Sequence, residues 1–163
     1  MVNTMSVQFV SAAVGLIVEN NNVLMIKREK EPFANLWSIP GGKIEKKEFV
    51  STAVLREINE EVGGSCYIEK FLGTVSEIIY NDNIIERHHI IHVFKLRITN
   101  GEPIESVKWY SIDKIDQKKD ITPSDIAIIE EFLVHQKSNY FNCSLHFEKG
   151  KYTLGSFSSL CIP

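Results

Sequence analysis

The chain has 163 residues, 44% of them hydrophobic and 24% charged, which is the balance of a globular domain and excludes the low-hydrophobicity regime of disordered chains. At about 100 to 200 residues per domain this length predicts one compact domain over residues 1–137, with residues 138–163 as a C-terminal extension of the same unit. A net charge of −3 gives no bulk positive field for a nucleic-acid polymer, and the early apolar stretch at 10–18 is shorter than the roughly 20 residues that cross a bilayer, so neither a polymer nor a membrane is the expected partner.

Residues 7–19 are rich in Val, Ala, Leu and Ile, and Asn20, Asn21 and Asn22 separate them from a second apolar run at 23–26. Asn tolerates the left-handed conformations of tight turns, so the pair reads as a β-hairpin. Residues 27–32 form a charged loop, residues 36–39 a short buried strand, and Pro40-Gly41-Gly42 ends it. A helical pattern follows, in which Ser51, Leu55, Ile58 and Val62 share one face with Val54 at its edge. Arg56, Glu57 and Glu60 are expected to point away, with Glu61 on the flank, and Gly63-Gly64 to stop the helix. Strand-like runs occupy 66–72, 74–80 and 84–98, and Asn100-Gly101 turns the chain toward another at 107–110, which predicts a mixed sheet.

Thr122 as a cap and Pro123 in the first turn open a second helix, apolar through Ile126, Ile128, Ile129, Phe132 and Leu133 and expected to reach about Gln136. Alternation of Leu145, Phe147, Tyr152 and Leu154 about Lys149-Gly150 predicts a terminal hairpin. An isolated hairpin is marginal in water, so it is expected to pack on an edge of the main sheet or on a second subunit, the latter giving a homodimer. Cys66, Cys143 and Cys161 are odd in number and widely spaced, as idle thiols of a reducing compartment are, so the expected location is cytoplasmic.

Glu57, Glu60 and Glu61 lie within an arc of roughly 100° on the first helix, and the like charges at i, i+4 are mildly destabilising. Taken alone, such a patch is ordinarily a solvated face. Its position directly after a Pro-Gly-Gly loop changes the reading, because backbone and clustered hard oxygens can meet at one spot that suits Mg²⁺.

Gly42, Glu48, Arg56-Glu57-Ile58, Glu60-Glu61 and Gly63 stand in the spacing G-x5-E-x7-R-E-U-x-E-E-x-G, which resembles the Nudix box. Residues 36–43 and 107–111 also look like Nudix hydrolases, so the resemblance runs from about Val7 to Gln136. One position departs: Gly64 stands where the box has an aliphatic residue. The resemblance implies an α/β fold, the α/β/α Nudix sandwich with a mixed β-sheet and a loop-helix catalytic motif. It further implies Mg²⁺- or Mn²⁺-dependent hydrolysis of a nucleoside diphosphate linked to another group. Carried over, Glu57, Glu60 and Glu61 are metal ligands with the Gly42 carbonyl, and Glu60 or Glu61 is the principal one. One of these glutamates orients or deprotonates the water. Arg56 holds the carboxylates in place, and Glu48 ties the loop to the helix.

A base on a later loop is the other family arrangement, with Glu86, Glu102 and Glu105 as candidates and Glu105 preferred for its place before the strand that holds Trp109. Lys27 and Arg28 are placed to meet phosphate or base. Tyr80 lies sixteen residues past Gly64, where Nudix hydrolases of dinucleoside polyphosphates often show a tyrosine, and no proline occurs between Gly41 and Glu102, unlike the ADP-ribose type. His88 and His92 are about 13 Å apart on a strand and cannot chelate one ion; they are expected on one sheet face beside the cleft. Phe33 and Trp37 read as core. The expected function is a pyrophosphohydrolase of a nucleoside triphosphate, oxidised or not, or of a dinucleoside polyphosphate. ADP-ribose or nucleotide-sugar cleavage is one alternative, and a non-catalytic nucleotide sensor the other.

Overall fold

The structure, a computed structural model, describes residues 6–101 and 106–160. Its strands are β1 (Gln8–Glu19), β2 (Asn22–Lys27), β3 (Trp37–Ser38), β4 (Gly41–Lys43), β5 (Ser65–Asn81), β6 (Ile84–Asn100), β7 (Val107–Ser111), β8 (Tyr140–Glu148) and β9 (Lys151–Ser159). The helices are α1 (Val50–Glu61) and α2 (Pro123–Ile129). The sheet runs β3-β2-β1-β6-β5-β8-β9, with β4 added on β1 and β7 on β2. Because β1 pairs parallel with β6, and β5 parallel with β8, while the other pairs are antiparallel, the sheet is mixed.

Period-2 alternation sorts the apolar residues onto two faces. Ala13 and Ile17 of β1, Leu24 and Ile26 of β2, and Phe94 and Leu96 of β6 bury Ala53, Val54, Ile58 and Val62 at α1. Leu16, Val23, Met25 and Val93 face the other way, with Val75, Ile79, Phe141 and Leu145, and cover Ile128, Ile129 and Phe132 at and after α2. One sheet between two helical layers is therefore the observed architecture.

Several elements differ from the sequence reading. In α1 the buried stripe is Ala53, Val54 and Ile58, continued by Val62, whereas Ser51 is exposed and Leu55 half-buried. This rotation brings Glu57 and Glu61, one turn apart, toward the β4 loop instead of toward solvent. Residues 65–81 form one long strand, with bulges between Ile68 and Lys70 and between Phe71 and Gly73, instead of two strands. Thr122 occupies the N-cap position of α2 without capping it; its hydroxyl donates to the Trp37 carbonyl at 3.2 Å. The second helix is α-helical only to Ile129 and continues as a π-helical turn, Glu130–Val134.

β8 and β9 form the antiparallel terminal hairpin. Its first strand pairs with β5 from Thr74/Tyr140 to Asn81/Phe147, so the edge of the main sheet is what the hairpin rests on.

Candidate functional site

The loop from β3 through β4 runs beside α1, and its two glycines lie against the carboxylates of the helix's C-terminal half. A Cβ on Gly42 would sit 2.4 Å from Cδ of Glu57, so any side chain there displaces that carboxylate. The Gly41 N–H donates to Oε2 of Glu61 at 2.8 Å. Arg56 organises the rest. Its Nε and Nη2 donate to the two oxygens of Glu48 at 2.9 and 3.0 Å, its Nη1 donates to Glu57 Oε1 at 2.8 Å, and Nη2 also donates to the Lys43 carbonyl at 3.1 Å. Glu60 lies 3.7 Å from Nη1 and is largely exposed. Such a forked, charge-assisted arrangement is the strong kind of ion pairing. It ties Glu48, the strand end at Lys43 and Glu57 into one unit, and the bond from Arg56 together with the Glu45 N–H holds the Glu48 carboxyl below its ordinary range.

Burial pushes Glu61 up to about 7; the Gly41 N–H and Arg28 oppose this, and the charges of Glu57 and Glu60 add to it. A half-buried carboxylate repelled by two neighbours is the environment that a bound cation relieves. The donors are hard carboxylate oxygens beside glycine backbone, which fits a cation that takes few protein ligands and keeps waters. Among the described residues no three His, Cys, Asp or Glu side chains are gathered closely enough to hold a metal ion by themselves.

A cavity of about 230 Å³ opens beside this unit. Gly41, Gly42 and Lys43 form part of its wall, Arg28 and Arg87 line it, and Glu77, His89, Ser38 and Asp125 bring polar groups to it from β5, β6, β3 and α2. Asp125 Oδ2 accepts from Ser38 Oγ at 2.6 Å and from the Ile39 N–H at 3.0 Å. Burial outweighs these two bonds and, with the charge of Glu77 adding to it, pushes Asp125 up to about 6. A carboxyl raised from its ordinary 3.8 favours the protonated form in the fold, so its contribution to stability is complete below pH 3.8 and is lost as the pH rises through about 6. In urea unfolding, the stability of wild type relative to Asp125→Asn should therefore fall between pH 4 and pH 7.5, by an amount on the order of 3 kcal/mol at about 1.36 kcal/mol per pKa unit. A pH-independent difference would contradict this placement of Asp125.

Of the residues singled out in the sequence, the fold brings Gly42, Glu48, Arg56, Glu57, Glu60 and Glu61 together. Lys27 and Arg28 line a second, open groove with Glu60, Glu61 and Ser106, and Arg28 belongs to both groove and cavity. Glu102 and Glu105 lie outside the described residues. Glu86 stays near the β5–β6 turn, against Asn81 and Arg87. Tyr80 stacks on His146 with ring centroids 5.1 Å apart, and it lines neither the cavity nor the groove. Phe33 is a core residue that also lines the cavity, and Trp37 packs edge-on against Tyr110.

The histidine expectation fails on strand parity. His88 and His92 bond Ser76 and Thr74, and neither lines the cavity; His89, one residue out of step, does. Glu77, Asp125 and Ser38 went unremarked in the sequence. The available signal was a glutamate between the inward-facing Val75 and Ile79, and an aspartate in the first turn of α2. Gly64, which departs from the box, has a local reason: a Cβ there would meet the Asn100 carbonyl at 2.4 Å, and φ is +82°.

A family model for the NUDIX domain matches residues 10–132. A curated protein from Methanocaldococcus jannaschii named ADP-ribose pyrophosphatase is 39% identical over 88 residues, 54% of this chain and 50% of that protein. One from Escherichia coli named 8-oxo-dGTP diphosphatase is 47% identical over 53 residues, 31% of this chain and 41% of that protein. The chain thus spans half or less of the length of these two curated relatives. Among solved structures, the mutator MutT protein of Bacillus halodurans superimposes with a TM-score of 0.70 at 21% identity, covering 94% of this chain and 99% of that one, a likeness of fold. With the box residues gathered around Gly42 and the family model spanning most of the sequence, the chain belongs to the Nudix family.

Proposed function

We propose that the chain is a divalent-metal-dependent pyrophosphohydrolase that cleaves a phosphoanhydride bond of a nucleoside triphosphate, oxidised or not, or of a dinucleoside polyphosphate. The observation that carries this reading is the stacking of Glu57 over Gly42 and of Glu61 on the Gly41 N–H, clamped by the Arg56–Glu48 pair. Glu57, Glu60, Glu61 and the Gly42 carbonyl would hold the cation. Mg²⁺ is our assignment, with Mn²⁺ as a substitute. When bound, such an ion neutralises charge that builds on phosphate oxygens and makes a coordinated water more acidic.

The chain's own groups do the remaining work. Arg28, Lys43 and Arg87 face phosphate from the cavity wall, and Lys27 does so from the adjoining groove. Arg56 keeps Glu57 fixed against Gly42, while Glu48 keeps Arg56 fixed. Glu61, fixed on the Gly41 N–H one turn from Glu57, is our candidate for orienting the attacking water or taking its proton. The cavity beside the box takes the nucleoside. A second reading, ADP-ribose cleavage, is favoured by the printed name of the Methanocaldococcus relative.

A panel of ATP, GTP, a dinucleoside tetraphosphate and ADP-ribose with Mg²⁺, scored for phosphate and pyrophosphate separately, tests the reading. Nucleoside monophosphate plus pyrophosphate from a triphosphate is the expected outcome. Exclusive release of AMP and ribose phosphate from ADP-ribose would establish the second reading, and no hydrolysis of any member would leave a nucleotide sensor.

A further inference from the structure

Tyr152 of β9 meets the loop between β2 and β3 from the far end of the sheet. Its hydroxyl donates to Glu31 Oε2 at 3.1 Å, and its ring lies against that of Phe33 with centroids 4.5 Å apart. Phe147 of β8 packs on the same tyrosine at 4.6 Å, so the ring is fixed by its own hairpin. In the sheet order β3 and β9 are the two end strands, and Phe33 and Tyr152 belong to the core on the α2 side; the contact therefore closes across the face that carries the cavity. The loop it holds brings Arg28, Glu31, Pro32 and Phe33 to the cavity wall. Arg28 is built into that loop: its Nε donates to the Pro32 carbonyl at 3.1 Å, its backbone N–H donates to the Leu36 carbonyl at 2.9 Å, and its own carbonyl accepts from the Asn35 N–H at 2.9 Å.

The loop needs such a hold. Phe33 has a φ of +71° and Asn35 one of +68°, and a left-handed backbone at a bulky aromatic residue persists only where its surroundings over-determine it. Phe33 is 6% exposed, and the Tyr152 ring forms one wall of its site. Resting on the nucleotide reading above, we infer that Tyr152 is a positioning residue for substrate binding: stacked on Phe33, it straps the β2–β3 loop, and with it Arg28, against the cavity. The terminal hairpin then does more than complete the core, since it sets the arrangement of a loop 121 residues earlier in the chain. The hydrogen bond to Glu31 lies at the surface and the ring contact is largely buried, so the stack carries most of the hold.

Two readouts test this, one of the loop and one of the substrate. Trypsin cuts after Arg28 and Lys30 in proportion to the population in which the loop is open, so the initial rate of cutting in that segment reports its release. Tyr152→Ala should raise that rate about tenfold and raise KM for GTP by a similar factor, because apparent affinity falls with the fraction of protein in the competent arrangement. The α1 carboxylates and the glycine loop are untouched, so kcat should stay within about twofold. Tyr152→Phe keeps the stack and loses only the hydrogen bond to Glu31, and it should behave nearly as wild type in both readouts. Should Tyr152→Ala lose the native circular dichroism spectrum, Tyr152→Leu, which keeps apolar bulk without the ring, is read by the same criteria. Unchanged cutting in a folded variant, an unchanged KM, or a fall in kcat at constant KM would overturn the inference. The hydrolase reading fails separately. If wild type turns over no GTP, the calorimetric Kd for GTP replaces KM and the same shift with loop release keeps the positioning role; GTP turnover with a KM indifferent to Tyr152 keeps the hydrolase and removes the strap; undetectable GTP binding removes both.

Discussion

Glu61→Gln is expected to lower turnover about a hundredfold to a thousandfold while leaving the fold intact. The amide has the same size as the carboxylate, and its oxygen can still accept the Gly41 N–H that Oε2 accepts now. Only the charge is removed. Charge stabilisation by a bound cation is worth several kcal/mol at about 1.36 kcal/mol per tenfold in rate, which sets the size of the loss. Stability should move the other way. Glu61 is half-buried and is repelled by Glu57 and Glu60, so above pH 7 the neutral amide should melt at a higher temperature than the ionised carboxylate. Reduced rate with raised Tm identifies a charge kept for function; full activity in the variant would defeat the assignment.

The second large effect concerns the hairpin. Phe141 is 1% exposed, with Phe132 and Phe157 rings 5.2 and 5.0 Å away. Phe141→Ala should cost about 3–5 kcal/mol, the range for emptying a buried aromatic site. Against a total stability of about 5–15 kcal/mol this is a large share. Deleting residues 138–163 should cost more than the single substitution, since it removes Phe141, Cys143 and Leu145 from the core and strips the β5 edge of its partner from Thr74 to Asn81. Urea unfolding of Phe141→Ala and size-exclusion chromatography of the truncated chain check both. A soluble, cooperatively folding truncated monomer would contradict the account of the hairpin as part of the core.

The loop-helix unit was readable from sequence because its parts are neighbours along the chain: Gly41, Gly42, Glu48, Arg56, Glu57 and Glu61 fall within 21 residues and one local geometry. The hairpin was legible for the same reason, through its alternation about Lys149-Gly150, although its place beside β5 depends on a long-range parallel pairing. The cavity was not legible, because Ser38, Glu77, His89 and Asp125 are joined only by the sheet order and by the packing of α2. Strand parity decided the histidines: a shift of one residue in which face points inward exchanges His89 for His88 and His92. In α1, Ala53 is small and adds little to an apolar pattern, yet it is fully buried, so the helix is rotated from the face that Ser51 and Leu55 suggested. The second helix reads as regular because periodicity does not register the slip from α to π geometry after Ile129.

On the proposed reading, phosphoanhydride cleavage depends on a divalent cation held between the α1 carboxylates and the glycine loop. Its most direct test is the initial rate of pyrophosphate release from GTP by chelator-treated protein as Mg²⁺ is added back, in wild type and in Glu61→Gln. Turnover should be absent without the ion, recover saturably in wild type, and in the variant follow a curve displaced to higher Mg²⁺ with a depressed plateau. Turnover that persists in chelator, or identical Mg²⁺ curves for the two proteins, would contradict it.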